Sequence, residues 1–315
     1  MSLNSPAASP QPSSDTARAA QGFLLMATAM IVLPGMDATA KYLSTSISPL
    51  QVTWGRFFFQ TVVLLPIIIV IEGWRGLWPN RLAGNVARGA LIAIASLMYF
   101  TAVKFMPLAD AMAIFFVEPM ILTLLSALIL KEEVGWRRRI AVVVGFIGAM
   151  IVIRPSFADV GPVALLPLAA ATLFSFYLIL TRRLVTSDSG LTMQFVAGVT
   201  GAVILSAVLA GTVVLDLPDL RPSAGTPKVW ALLFTIGFIA ALGHLMVVQA
   251  FQRLPVSVLA GFQYIEIVTA TLLGLWLFGD FPDMTTWVGI AVIVGSGLYI
   301  YWRERRTDSG MDDPE

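Results

Sequence analysis

The sequence predicts an all-α membrane protein of ten transmembrane helices arranged as two inverted five-helix repeats. Three observations lead there: the chain is too apolar to fold in water, ten stretches are long enough to cross a bilayer, and one register of polar and helix-breaking residues recurs at a constant offset. Only 12% of the 315 residues are charged and 57% are apolar, with a mean hydropathy of +0.84. Ordinary soluble domains carry about a quarter charged residues.

In chain order, residues 1–20 are rich in Ser, Pro and Ala and read as a disordered cytoplasmic tail, because they lack the apolar core and cleavage site of a signal peptide. A bilayer core of about 30 Å needs roughly 20 apolar residues at 1.5 Å each. Runs that meet this test fall near 22–43, 50–72, 86–106, 108–130, 138–154, 161–181, 191–215, 229–251, 256–279 and 285–302. They divide the chain into a first repeat, 21–155, and a second, 156–303, followed by a polar cytoplasmic tail, 304–315.

With the N-terminus in the cytoplasm, 14 of the 20 Lys and Arg residues lie on that side, among them Arg75, Arg81, Arg88, Arg137, Arg138, Arg139, Arg182, Arg183 and Arg253. Lys41, Lys104, Arg154, Arg221 and Lys228 fall outside, and Arg56 falls within a span. This asymmetry follows the positive-inside rule and, with an even number of spans, puts both termini in the cytoplasm.

The fourth and ninth spans overlay with a single shift of 148 residues: Pro107 on Pro255, Glu118 on Glu266, Thr123 on Thr271, and Glu132 on Asp280. Leu matches are cheap in an apolar background, but a proline and two acids in register are not. Five spans per half is an odd number, so the second half enters the membrane with the opposite polarity. Inverted repeats of this kind give two pseudo-symmetric states around a midplane site, which is how many secondary carriers alternate access.

Each half also ends its fourth helix in an acidic turn, Leu130-Lys131-Glu132-Glu133 and Phe278-Gly279-Asp280, ahead of a Gly-rich fifth helix. In this the chain resembles the EamA-type drug/metabolite transporter superfamily, over roughly residues 20–303. The resemblance implies a multi-pass carrier of small organic metabolites in a bacterial inner membrane. The stretch Phe262-Gln263-Tyr264-Ile265-Glu266, with Trp287 and Gly295-Ser296-Gly297-Leu298-Tyr299 beyond it, is similar to members that take up riboflavin or S-adenosylmethionine. An amino acid is a third substrate class to consider. One departure is that Pro119 follows Glu118 while Ile267 follows Glu266.

The candidate site residues are the polar groups at depth. Glu118 and Glu266 lie about ten residues, or roughly 15 Å, into oppositely directed spans, so both reach the bilayer centre near the pseudo-twofold axis. A charge there costs about 2.5–3.5 kcal/mol on insertion scales, so such acids face a cavity, a partner or a proton path. They are expected to bind substrate or coupling protons, or else to cross-link helices by hydrogen bonds. Gln263, Glu266 and Thr269 share one helical face by their spacing of three. Tyr264 sits one residue off it. In the second span Thr53, Arg56 and Gln60 share a face, and Asp37, after Pro34-Gly35, lies at a depth where it could pair with Arg56. The sole histidine, His244, and Tyr99 complete the set, each open to a packing role instead.

Other chemistries find no support. There is no cysteine, only one histidine, and no H-E-x-x-H, Gly-x-Ser-x-Gly or Walker motif, so neither metal nor cofactor is expected. A net charge of +1 points to no nucleic-acid partner. The expected partners are the lipid bilayer, a small-molecule substrate and coupling protons; oligomeric state is not encoded legibly. Two further readings stay open, an intramembrane lipid-modifying enzyme and a non-transporting adaptor or sensor. The first requires polar groups converging at headgroup depth, and the second an interior filled with apolar side chains.

Overall fold

A computed structural model describes residues 12–130, 135–184, 186–251, 253–254 and 260–308, and every extended element among them is helical. The long helices are α1 (Pro12–Leu43), α2 (Pro49–Glu72), α3 (Leu82–Phe105), α6 (Trp136–Val160), α7 (Leu166–Leu184), α8 (Gly190–Val214), α9 (Pro227–Phe251), α10 (Ile265–Phe278) and α11 (Met284–Asp308). Between α3 and α6 the fourth span is broken into α4 (Leu108–Phe115), α5 (Glu118–Leu125) and a π-helical turn, Ser126–Leu130. Seven apolar stretches are long enough to cross a membrane; one of them, Arg139–Leu184, is α6 and α7 joined through a 3-10 turn at Gly161–Leu165. The shorter apolar helices Phe262–Phe278 and Met284–Ile300 bring the spans to ten.

Several boundaries differ from the sequence expectation. Residues 12–20, assigned to the tail, continue α1 as helix, and at the other end α11 runs to Asp308. Pro34, expected to break the first span, sits inside an unbroken α1, whereas the fourth span is interrupted at Phe116-Val117, beside the Pro119 that marked it for a break. Pro119 has no N–H to return to the carbonyl four residues back, which explains the interruption. The fifth span passes Arg154-Pro155 and stops only at Gly161, whose φ of +63° is left-handed and suits glycine. Lys131, Glu132, Glu133 and Pro255 lie outside the described residues.

Helix packing carries the twofold relation. Exchange each helix of the first half with its counterpart in the second, and α1 on α9 becomes α7 on α3, α2 on α9 becomes α8 on α3, and α1 on α10 becomes α7 on α5; α2 on α8 and α6 on α11 map onto themselves. These are the principal packings of the molecule. Side chains obey the same 148-residue shift: Gly145 lies against Ser296 and Gly148 against Ile293, two contacts that are images of each other. Phe116 packs against Tyr264, its own image, with the rings tilted by 31° and their centroids 5.5 Å apart, and a residue touching its own image marks the axis.

The two ends of the bundle are joined differently. At the end away from the chain termini, Lys41 of α1 forms an ion pair with Asp280 after α10, donates to Met106 O at 3.0 Å, and lies over the Phe278 ring. Gln51 and Ser223 exchange two hydrogen bonds of 2.8 Å there. At the terminus-bearing end, Glu72 accepts from Ser189 and Thr192, and Asp188 accepts from the Asn80 backbone and the Asn85 side chain. Each of these pairs joins chain segments that the ten-span topology puts on the same side.

Candidate functional site

The polar interior is built from helices of both halves. Asp37, Arg56, Gln60, Tyr99 and Glu118 are all more than nine-tenths buried, while Glu266, Gln263, Thr269 and His244 are half-buried. On α2, Thr53 turns its hydroxyl onto Pro49 O at 2.7 Å, leaving Arg56 and Gln60 as the reaching groups of that face. Arg56 donates to the Ser96 hydroxyl at 2.5 Å and stacks over the Phe57 ring at 4.5 Å. Asp37 is its charged neighbour, held at longer range than a contact ion pair. The pairing expected of Asp37 with Arg56 is therefore one of field rather than contact, because Ser96 has taken the guanidinium.

Asp37 is also the charged neighbour of Glu266, and Tyr99 stands near both carboxylates. The Tyr99 ring meets Phe115 edge-on at 5.4 Å and its hydroxyl points to Met112 Sδ at 3.8 Å. His244 has Arg56 and Arg88 as charged neighbours; its Nδ1–H is directed at Ala240 O, 2.7 Å away on its own helix, which leaves Nε2 for other chemistry. Asp37, Arg56, Tyr99, His244 and Glu266 thus form one electrostatic group.

Glu118 belongs to a neighbouring group. It opens α5 at the break, its backbone carbonyl accepts from Ser175 of α7 at 3.2 Å, and Tyr264 is its titratable neighbour. Glu118 and Glu266 each lie two residues beyond the Phe116–Tyr264 pair, so both flank the axis, but they answer to different neighbours. Gln263 precedes that pair. Thr269 spends its hydroxyl on Ile265 O at 3.2 Å.

Three buried polar atoms in this interior lack a protein partner: Arg56 Nε, Gln60 Oε1 and Glu118 Oε1. Leaving such an atom unsatisfied costs about 1–3 kcal/mol, so a ligand able to meet them gains that much in return. No group of three or more His, Asp or Glu side chains that could hold a metal occurs among the described residues.

Two residues with strong roles escaped the sequence reading. Tyr264, set aside as off the polar face, is the aromatic partner of Phe116 and the neighbour of Glu118; the signal that could have found it is the 148-residue shift, which pairs it with Phe116. Arg88, counted among the cytoplasmic charges, is 2% exposed and fully engaged: it donates to Thr181 at 2.7 Å, Met193 O at 2.7 Å and Tyr177 at 2.5 Å, tying α3 to α7 and α8. Those partners lie 89 to 105 residues away in sequence, beyond any local pattern.

Residues 20–154 and 161–302 each match the model of the EamA-like transporter family. The chain is 28% identical over 281 residues to an S-adenosylmethionine uptake transporter of Rickettsia prowazekii, covering 89% of this chain and 92% of the relative. It is also 28% identical to a riboflavin transporter of Vibrio cholerae, covering 91% and 95%. A solved crystal structure shares the fold with a TM-score of 0.63 and 18% identity, over 90% of this chain and 99% of the other.

Proposed function

The chain belongs to the EamA-like transporter family, and on that premise we propose that it moves a small, ring-bearing, positively charged metabolite across the bacterial inner membrane by alternating access. The observation that carries this reading is the charge count of the interior. Three acids, Asp37, Glu118 and Glu266, lie at depth against two guanidinium groups, of which Arg88 is engaged by Thr181, Tyr177 and Met193 O while Arg56, beside Asp37, keeps its Nε unmet. Net negative charge at membrane depth is costly and is offset by a cation, by protons, or by each in turn. The rings of Phe116, Tyr264, Tyr99 and Phe115 supply faces on which a flat substrate stacks, and aromatic faces also attract cations.

Between the substrates named for the two relatives, this chemistry favours S-adenosylmethionine, which joins an adenine ring to a sulfonium cation, over riboflavin, whose ring carries no positive charge. Proton coupling through Glu118 and Glu266 belongs to the same proposal. The excess of Lys and Arg at the terminus-bearing end supports placing both termini in the cytoplasm.

The test is uptake into liposomes holding the purified protein, with labelled S-adenosylmethionine, riboflavin and a neutral amino acid, with and without a pH gradient. Saturable S-adenosylmethionine uptake that excess riboflavin leaves intact is expected. Saturable riboflavin uptake without S-adenosylmethionine uptake would overturn the assignment.

A further inference from the structure

The molecule carries a cavity whose lining contains none of the polar groups of the interior. It is a groove of about 390 Å³ between the first third of α6 and the last third of α11, at the terminus-bearing end. Ile140, Ala141, Val144 and Gly295 line it with apolar surface, and Trp136, Arg137 and Tyr299 complete its wall. Ser296 also touches it, but its hydroxyl is spent on Ile293 O at 2.8 Å. The neighbouring surface is apolar and exposed, with Val143, Ile147 and Met150 on α6 and Leu298 on α11, so in a membrane the groove opens to acyl chains.

Its depth in the groove comes from Gly295. A Cβ built there meets nothing within 4 Å, although deeper along the same helix pair Gly148 and Gly289 bring the backbones into contact. At Gly295 the groove is open, while the adjacent Ser296 stays against Gly145 and holds the two helices together beside it. At the mouth Trp136 and Tyr299 are the ring types that sit at headgroup level, and the Arg137 guanidinium lies 5.4 Å over the Trp136 ring. Arg137 opens the run Arg137-Arg138-Arg139, and among the described residues no acidic side chain lines the groove.

We propose that this groove binds one anionic phospholipid, with an acyl chain lying over Gly295 and the headgroup phosphate held by Arg137. Basic pockets between transmembrane helices recognise acidic headgroups in this way. The lipid bridges α6 and α11, counterpart helices of the two repeats, and so reports on their separation. The site is independent of the substrate carried.

The experiment is native mass spectrometry of the purified full chain with added phosphatidylglycerol or phosphatidylcholine of identical acyl chains. Wild-type protein is expected to bind phosphatidylglycerol at least about fivefold more tightly. Arg137→Gln should erase that preference while leaving phosphatidylcholine bound. Gly295→Leu should abolish both adducts with an unchanged melting temperature, since its side chain enters open space. Equal binding of the two lipids by wild type, or retention of the phosphatidylglycerol adduct by Gly295→Leu, overturns the proposal. A wild-type dimer that Gly295→Leu converts to monomer would also overturn it, giving the face to a second copy of the chain.

Discussion

Glu118 and Glu266 are the same residue in two copies of one bundle, yet they live in unlike surroundings. Glu118 is 8% exposed, with Phe116 and Val117 buried before it and Met120 and Ile121 after it. Glu266 is half-buried, as are its images' partners Tyr264 and Ile265, and Val268 is 59% exposed. Packing shows the same asymmetry. At the far end α1 leans on α3, and α4 packs against α10, sealed by Lys41 and Asp280; the counterpart packing of α7 on α9 is absent from the extensive contacts of the described residues. Two equal copies in one static structure must differ if the molecule is open at one end. The described residues are sealed at the far end by Lys41 and Asp280, and in an alternating cycle the opposite state should exchange the surroundings of the two acids.

The largest expected effect comes from the acids themselves. If they exchange roles during each cycle, Glu118→Gln and Glu266→Gln should each lower liposome uptake by at least about tenfold, the scale of 1.4 kcal/mol or more at a rate-limiting step. A protein that tolerates one substitution and not the other would break the equivalence. Next comes the far-end seal. A partly exposed ion pair is worth about 0.2–1 kcal/mol, so Lys41→Gln should shift the population toward the opposite opening by up to about fivefold. The doubly substituted Lys41→Asp, Asp280→Lys chain should restore it; failure of that rescue would mean that Lys41 acts through Met106 O alone.

The smallest effect is at the opposite end. Burial opposes the Asp188 charge, but hydrogen bonds from the Asn80 and Arg81 backbone and from the Asn85 and Ser187 side chains outweigh it and hold the carboxyl below its usual range. A depressed folded value contributes stability that is complete above the ordinary carboxylate pKa of about 4 and is lost as pH falls through the folded value. Asp188→Asn should therefore lower the melting temperature by about 2–4 °C at neutral pH, with the gap closing in strong acid. A gap that persists there would assign the loss to packing instead of charge.

Much of this was legible in the sequence because membranes impose long, one-dimensional patterns. The spans follow from hydropathy, and the duplication from Glu118 and Glu266 in register. What stayed hidden depends on side chains meeting across distant helices. Arg88 reads as an end charge until Tyr177, Thr181 and Met193 are brought around it. Arg56 appears matched to Asp37 by depth, but depth says nothing of rotation about the helix axis, and Ser96 is the group it reaches. The break at Phe116-Val117 was half visible in Pro119; a proline alone does not say whether a helix bends, as Pro34 shows by sitting in an unbroken one.

The central claim is that the two repeats alternate, and the absence of cysteine from the chain makes it directly measurable. Gln263 and Phe115 are images under the 148-residue shift, so single cysteines at these positions report on the two sides of the axis. In sealed vesicles, a membrane-impermeant thiol reagent should label Gln263→Cys from the terminus-bearing side and spare Phe115→Cys, and saturating substrate supplied from the far side should reverse the order. Labelling of both positions from the same side under every condition would contradict alternation.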